Sequence, residues 1–285
     1  CALLGSAPWV ALCGNTVAVL LSSEALWRIA SHWGGRCAGW IAASIWLLNP
    51  LTAQWTRYVL TEPLFFSAVI LWLSLALFRP GWPLLLFSAM AATLRPNGFT
   101  LLASAITWVV LINALDRKRM GVLLFGGWLA LIGGVVVIAP SISPVAHKVP
   151  QLIANGTVIH SHPELALSMD GPLAVPRLFA TRLGWEFAQW RPWYSLRFNA
   201  FIALFMAGFY ALALRGAWLT RGTRLFWAVV LISLPSLLVI AATWAIHEGR
   251  FAWWVLVAWI PWVAIGCQQA NSVVQQNRRY ALAKS

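Results

Sequence analysis

Apolar runs approaching bilayer length alternate with short polar connections along most of this chain. An α-helix needs about 20 apolar residues to cross the hydrocarbon core of a bilayer, so the shorter runs would tilt, break or stop partway. We therefore predict an all-α integral membrane protein of about nine transmembrane or partial helices. The predicted spans are residues 8–28, 37–50, 63–79, 82–95, 98–113, 120–140, 198–215, 224–246 and 250–267.

One long polar segment, residues 141–197, interrupts this series and contains six prolines. Short helices are predicted within it around 148–155 and 174–190. A segment of this length is too long for an idle connector and is typical of a lid or a binding element. We interpret it as an extracytoplasmic cap. The predicted domains are membrane helices over 1–140, the cap over 141–197, membrane helices over 198–267 and a cytoplasmic tail over 268–285.

The composition agrees with a membrane protein, since 61% of residues are hydrophobic and only 9% are charged. Twenty tryptophans suit the aromatic belts at the two membrane surfaces. The net charge of +13 could indicate nucleic-acid binding, but the cations are spread between hydrophobic runs and do not form a polar domain. We therefore exclude nucleic acid as a partner and favour anionic headgroups or a phosphate-bearing lipid.

The charges also predict an orientation. Placing residues 28–36 in the cytoplasm puts most arginines and lysines of the short connections on that side, as the positive-inside rule requires. Five of the seven carboxylates then fall on the outer side. Because ionisable groups are costly near lipid, we expect this outer face to carry the function. The outer carboxylates are Glu62, Glu164, Asp170, Glu186 and Glu248.

Three short outer connections place charged residues beside a helix break: Arg57 to Glu62-Pro63, Arg95-Pro96-Asn97-Gly98, and His247-Glu248-Gly249-Arg250. Arginine suits phosphate because its planar guanidinium donates paired, charge-assisted hydrogen bonds. Carboxylates suit hydroxyl recognition or proton abstraction. The alternative is that each arginine reaches to lipid headgroups and each glutamate pairs with it. Three such segments on one face favour a functional site.

Two further sets in the cap have functional and ordinary interpretations. His160-Ser161-His162 with Glu164 could supply metal ligands, but no second ligand cluster accompanies it, so a solvated loop is favoured. We predict no metal site, although a divalent-metal requirement stays open. Trp193, with its aromatic neighbours Trp185, Trp190 and Tyr194, could stack on a sugar ring, but anchoring at the membrane surface is favoured.

The ordered motifs resemble those of the GT-C superfamily of membrane glycosyltransferases, in particular the bacterial relatives of protein O-mannosyltransferases and aminoarabinose transferases. The resemblance covers about residues 10–265. It is carried by Asn49-Pro50, Arg57-Tyr58, Thr61-Glu62-Pro63, Leu94-Arg95-Pro96-Asn97-Gly98 and His247-Glu248-Gly249-Arg250-Phe251.

The resemblance implies transfer of a sugar from a polyprenyl-phosphate donor to a lipid, glycan or protein acceptor at the outer face of a bacterial inner membrane. It also implies site roles. Arg57, Arg95 and Arg250 would hold the donor phosphate and stabilise its departing charge. Glu62 would be a catalytic group, and Glu248 and His247, with Trp193, would contact sugar or acceptor.

The family's usual catalytic aspartate lies in the first outer loop, for which this chain has no acidic counterpart. We expect the chain to lack the family's first helix and that loop, with Asp170 as a substitute base if they are absent altogether. Two alternatives stay open: a transporter or flippase of a lipid-linked saccharide, and a noncatalytic membrane subunit. A transporter would be expected to show polar residues in the centres of several spans and repeated halves.

Overall fold

The computed structural model describes residues 8–49, 62–93, 98–114, 174–189, 194–243 and 252–268. All regular secondary structure in these ranges is helical, without a strand. In chain order the helices are α1 Pro8–Gly34, α2 Arg36–Leu47, α3 Glu62–Phe78, α4 Trp82–Ala92, α5 Phe99–Ala114, α6 Ala174–Ala188, α7 Leu196–Thr220, α8 Arg224–Thr243 and α9 Trp253–Gly266.

Three of these helices contain segments long and apolar enough to cross a membrane, namely Trp9–Gly34, Leu196–Thr220 and Arg224–Ala241. Helices α3, α4, α5 and α9 are apolar but shorter. The all-helical class and the presence of helices able to span a membrane are thus confirmed. The predicted count of nine spans is not, because α6 lies inside the predicted cap and the run at 120–140 lies outside the described residues.

The chain divides into two compact units. The first draws its described residues from 1–110, 207–232 and 254–285, and the second from 111–206 and 233–253. Helix α6, which belongs to the second unit, confirms the helix predicted around 174–190. The helix predicted at 148–155 lies outside the described residues, and the division into four sequential domains stays a prediction.

Buried indole rings join the helices of the first unit. Trp72 of α3 donates from Nε1 to the carbonyl of Leu101 on α5 at 3.0 Å, and Trp108 of α5 donates to the carbonyl of Ala76 on α3 at 2.7 Å. Trp46 of α2 donates to the hydroxyl of Ser22 on α1 at 2.9 Å. Buried indole N–H groups need such acceptors. These three tryptophans therefore join helices inside the protein. The expectation of aromatic belts at the membrane surfaces did not include this role.

Other tryptophans do lie where a membrane surface would be expected. Trp9 and Trp82 are exposed in the first turns of α1 and α4, and Trp218 is exposed in the last turn of α7. The guanidinium carbon of Arg221 lies 3.8 Å from the centre of the Trp218 ring, a cation–π contact. These three exposed tryptophans lie at helix ends, whereas the buried Trp72 and Trp108 lie near the middle of their helices.

Helix α9 is buried on nearly all sides within the first unit. Two glycines let it approach α7 closely: Gly216 of α7 lies against the backbone of Trp262, and Gly266 of α9 lies against the carbonyl of Leu212. Apolar helices in a membrane gain association energy from such close backbone contact, since burial from lipid contributes little. Two tryptophans of α9, Trp254 and Trp262, are buried and act as packing residues.

The end of α9 meets the turn between α1 and α2. The Gln268 amide, in the orientation that satisfies both of its neighbours, donates to the carbonyl of Gly34 and accepts from the backbone N–H of Ala38 at 2.8 Å. Between these helices Gly35 has a φ of 83°, a left-handed conformation that ends α1 at little cost in strain. The two segments predicted to be cytoplasmic thus lie at the same end of the unit.

Candidate functional site

Glu62 begins α3, and its side chain is 6% exposed. The following residue, Pro63, suits the first turn of a helix because proline has no N–H to leave unpaired there. The positive end of the helix dipole favours a carboxylate at this position. One turn further on, the Phe65 ring packs edge-on against Trp254 of α9, with ring centres 5.6 Å apart. This contact fixes the start of α3 against the most buried helix of the first unit.

Helix α6 has an inverted arrangement of polar and apolar residues. Two of its charged side chains are buried, Arg182 at 2% exposure and Glu186 at 1%. Gln189, just past the helix end, is also buried. These residues are spaced by four and three positions and therefore share one side of the helix. Ala180, Gly184 and Ala188, which carry no polar side chain, are exposed.

Arg182 connects α6 to the end of α8. Its Nη1 donates to the carbonyl oxygen of Ala241 at 3.0 Å. Ala241 lies in the last turn of α8, where carbonyl groups have no partner within their own helix, and a cation is favoured at the negative end of the dipole. Burial lowers the pKa of Arg182, but a guanidinium remains charged throughout the physiological range. Arg182 therefore keeps a buried positive charge at this helix end.

The end of α6 is closed by its own polar residue. Gln189 adopts a φ of 55°, the left-handed conformation found just after many helices, and its Nε2 donates to the carbonyl of Glu186 at 2.7 Å. The helix is therefore fixed on both sides of Glu186, by the contact of Arg182 with α8 one turn earlier and by the hydrogen bond of the Gln189 amide. A second buried amide in this unit, Asn199, donates to the carbonyl of Tyr194 at 3.4 Å.

Keeping a carboxylate and a guanidinium this deeply buried has an energetic cost. Even after relaxation, the effective penalty for removing one ion from water is several kcal/mol, so such groups usually serve a function or pair closely. With charged residues forming only 9% of the chain, two on one buried helix face make this face a candidate site. We call the side chains of Arg182, Glu186 and Gln189 the α6 polar face.

The structure places one of the site residues predicted from sequence, Glu62, and the others lie outside the described residues. Those others are Arg57, Arg95, Asp170, Trp193, His247, Glu248 and Arg250. Gly98, which ends the predicted Arg95–Gly98 turn, lies directly against Ala91 and Ala92, so α5 begins beside the end of α4. Within the described ranges no three histidine, cysteine, aspartate or glutamate side chains form a group that could hold a metal ion. His160 and His162 are not among them.

From the sequence, Glu186 is predicted only as one of several outer carboxylates, and the α6 polar face is not predicted. A signal was present: Arg182, Glu186 and Gln189 recur at helical spacing in a chain with very few charges. It was not decisive, because the same spacing is typical of the exposed side of a surface helix.

A further polar group is buried between the first helices of the first unit. The hydroxyl of Ser22, near the middle of α1, donates to Ser67 of α3 at 3.2 Å and accepts from the Trp46 indole. Each of these polar groups has a hydrogen-bond partner within the protein. Their burial near the middle of α1 therefore does not by itself indicate a binding site for a transported substrate.

Comparison of the chain with protein-family models, with curated protein sequences and with solved structures gives no match.

Proposed function

We propose that this protein is a membrane glycosyltransferase of the GT-C type, which moves a sugar from a polyprenyl-phosphate donor to an acceptor on the outer face of a bacterial inner membrane. The observation that carries the proposal is the buried carboxylate of Glu62 at the start of the apolar helix α3. By the resemblance, Glu62 is a candidate to orient sugar or acceptor hydroxyls or to fix the phosphate-binding arginines. A carboxylate is otherwise costly to keep at the end of an apolar membrane helix.

In the proposed reaction, an acceptor hydroxyl attacks the anomeric carbon of the sugar while the bond from that carbon to the phosphate oxygen breaks. The polyprenyl phosphate leaves with the bonding electrons, and a carboxylate takes the hydroxyl proton. Arg57, Arg95 and Arg250 are proposed to stabilise the charge that develops on the departing phosphate. Glu62 is proposed to take the proton or to orient the reacting hydroxyl. Asp170 is the second proposed base.

The test is transfer of sugar by the full-length protein in membrane vesicles supplied with labelled hexosyl and pentosyl phosphates of a long-chain polyprenol. Glu62→Gln removes the carboxylate with little change in shape, so we expect transfer to fall at least about 100-fold, the usual scale for loss of a general base. Glu24→Gln is the matched control, because Glu24 is an exposed glutamate paired with Arg28 on α1. Equal transfer by the two variants would contradict the role of Glu62.

The transporter alternative predicts a different outcome in the same vesicles. A flippase would move the labelled lipid between leaflets without forming a glycosylated product. If the folded wild-type protein moves the labelled lipid but transfers no sugar, the transporter alternative replaces the glycosyltransferase proposal. The absence of both activities would favour the noncatalytic subunit.

A further inference from the structure

A cavity of about 440 Å³ lies between α1 and α2 in the first unit and opens at the surface of these two helices. Most of its lining is apolar, with Leu20 of α1 and Leu47 of α2 at one end and Trp27 and Trp40 at the other. Ligand cavities of this size commonly combine apolar walls with a few polar groups that fix the orientation of the ligand.

Two serine hydroxyls supply the polar groups of this cavity. Ser23 of α1 is 7% exposed, and its hydroxyl has no hydrogen-bond partner among the described residues. Serines inside helices usually donate to a carbonyl of the preceding turn, as Ser88 of α4 does to Leu84 at 2.6 Å. Ser44 of α2 is exposed, and within the described ranges its hydroxyl likewise has no partner. A buried hydroxyl without a partner is costly, so the cavity favours a ligand that brings acceptors.

The position of the cavity along α1 matches the boundary between headgroups and hydrocarbon. The rings of Trp27 and Trp40 lie edge to face with their centres 6.2 Å apart, and Trp40 is exposed. Tryptophan is enriched at this boundary, and residues 28–36 are predicted to lie outside the hydrocarbon. From Trp27 the cavity extends one turn to Ser23 and then to Leu20, roughly 10 Å along the helix axis. It therefore runs from an aromatic rim, past hydroxyl donors, into the apolar layer.

A diacyl glycerolipid has the same order of chemistry, with ester carbonyls between its headgroup and its acyl chains. Ester carbonyl oxygens accept hydrogen bonds and cannot donate, so they complement hydroxyl donors that have no acceptor in the protein. An acyl chain complements the exposed leucines at the inner end of the cavity.

We propose that this cavity binds a diacyl glycerolipid from the leaflet nearer to the turn between α1 and α2. Ser23 and Ser44 donate to its ester carbonyls, and an acyl chain lies against Leu20 and Leu47. Glu24 also lines the cavity, but it pairs with Arg28 at 2.7 Å and is assigned no contact with the lipid. The inference is independent of the proposed function, because no residue assigned to sugar transfer lines this cavity.

The test compares two phosphatidylglycerols with the same headgroup and chain length, one ester-linked and one ether-linked, which lacks the carbonyls. Their affinities for delipidated full-length protein are measured by native mass spectrometry. Wild-type protein should bind the diester about tenfold more tightly than the diether, the scale of two neutral hydrogen bonds. Ser23→Ala and Ser44→Ala should each lower this preference to about threefold, and the double variant should abolish it, with binding of the diether unchanged throughout.

Ser88→Ala is the matched control, since it removes a serine hydroxyl that is bonded within α4 and lies outside the cavity lining. It should keep the full preference for the diester. Ser44→Phe tests the location separately, because a phenyl ring at this exposed position would occupy the cavity. It should weaken binding of both lipids.

Three results would overturn the inference. Equal binding of diester and diether by wild-type protein would show that ester carbonyls are not recognised. A diester preference that survives in the folded double variant would place the recognition elsewhere. Unchanged lipid binding by Ser44→Phe would show that the lipid does not occupy this cavity. Since Ser44 is exposed, its variants test the proposal even if Ser23→Ala fails to fold.

Discussion

Tryptophan N–H groups supply interhelical hydrogen bonds in the first unit because its apolar helices offer few other donors. The pairing of α3 with α5 is reciprocal, since Trp72 and Trp108 each donate to a carbonyl of the other helix. Both rings are fully buried. Each residue thus contributes a large packing surface and a directional bond, which also fixes the register of the two helices.

Replacing either buried indole by a phenyl ring should destabilise the protein. Trp72→Phe and Trp108→Phe each lose one hydrogen bond and part of the packed ring, which together are worth about 1–3 kcal/mol. Trp82→Phe is the control, since Trp82 is 72% exposed at the start of α4. Thermal unfolding in detergent should show a lower Tm for the first two variants and little change for the third. A similar Tm for all three would exclude the interhelical role.

The buried charges show where single residues could be predicted from sequence. Glu62 was identified because it follows Arg57 and precedes a proline and an apolar run, a local pattern that places it at a membrane helix end. Glu186 was not identified as a site residue, because burial of one side of α6 depends on contacts with distant parts of the chain. Arg182 meets Ala241, 59 residues later in the sequence. The spacing of residues along the sequence predicts which of them share one side of a helix. It does not predict which other parts of the chain pack against that side.

At the scale of elements, α7 and α9 associate through glycine. A methyl group at Gly216 would collide with the carbonyl of Trp262, whereas one at Gly208, two turns earlier on α7, would find no described atom within 4 Å. Alanine is better than glycine in a helix by up to about 1 kcal/mol. Gly216→Ala should nevertheless destabilise by about 1–3 kcal/mol through overpacking, while Gly208→Ala should be neutral or stabilising. Thermal unfolding of the two variants measures the difference, and a stabilised Gly216→Ala would contradict the close approach.

The helix bounds were the most predictable part of the fold. The predicted spans 82–95 and 224–246 correspond to α4 and α8 within a few residues, because long apolar runs and their glycine or proline ends are local signals. Predicted span 37–50 likewise corresponds to α2, but its helix has 12 residues, too few to cross a bilayer by itself. Hydropathy along the sequence locates such helices, but the length of each helix in the structure decides whether it can cross a bilayer.

At the scale of the whole molecule, the Gln268 contact brings together positions that are far apart in sequence. It joins the end of α9 to the turn at Gly34 and Ala38. Two segments at the same membrane surface are separated by an even number of crossings, which would constrain how many of the short apolar helices cross fully. The positive-inside rule independently predicts that both segments are cytoplasmic.

This sidedness can be tested with two of the protein's own cysteines, since Cys37 and Cys267 flank the Gln268 contact and are exposed. In variants that retain only one of them, a membrane-impermeant maleimide should label each from inside-out vesicles and neither from right-side-out vesicles.

Ser195→Cys supplies the opposite control, because Ser195 is exposed just before α7 and belongs to the predicted outer segment. In a background without other cysteines it should be labelled only in right-side-out vesicles. Labelling of Cys37 and Cys267 from opposite sides would contradict the arrangement of α1, α2 and α9. Labelling of Ser195→Cys from the inner side would contradict the prediction that the segment before α7 is extracytoplasmic.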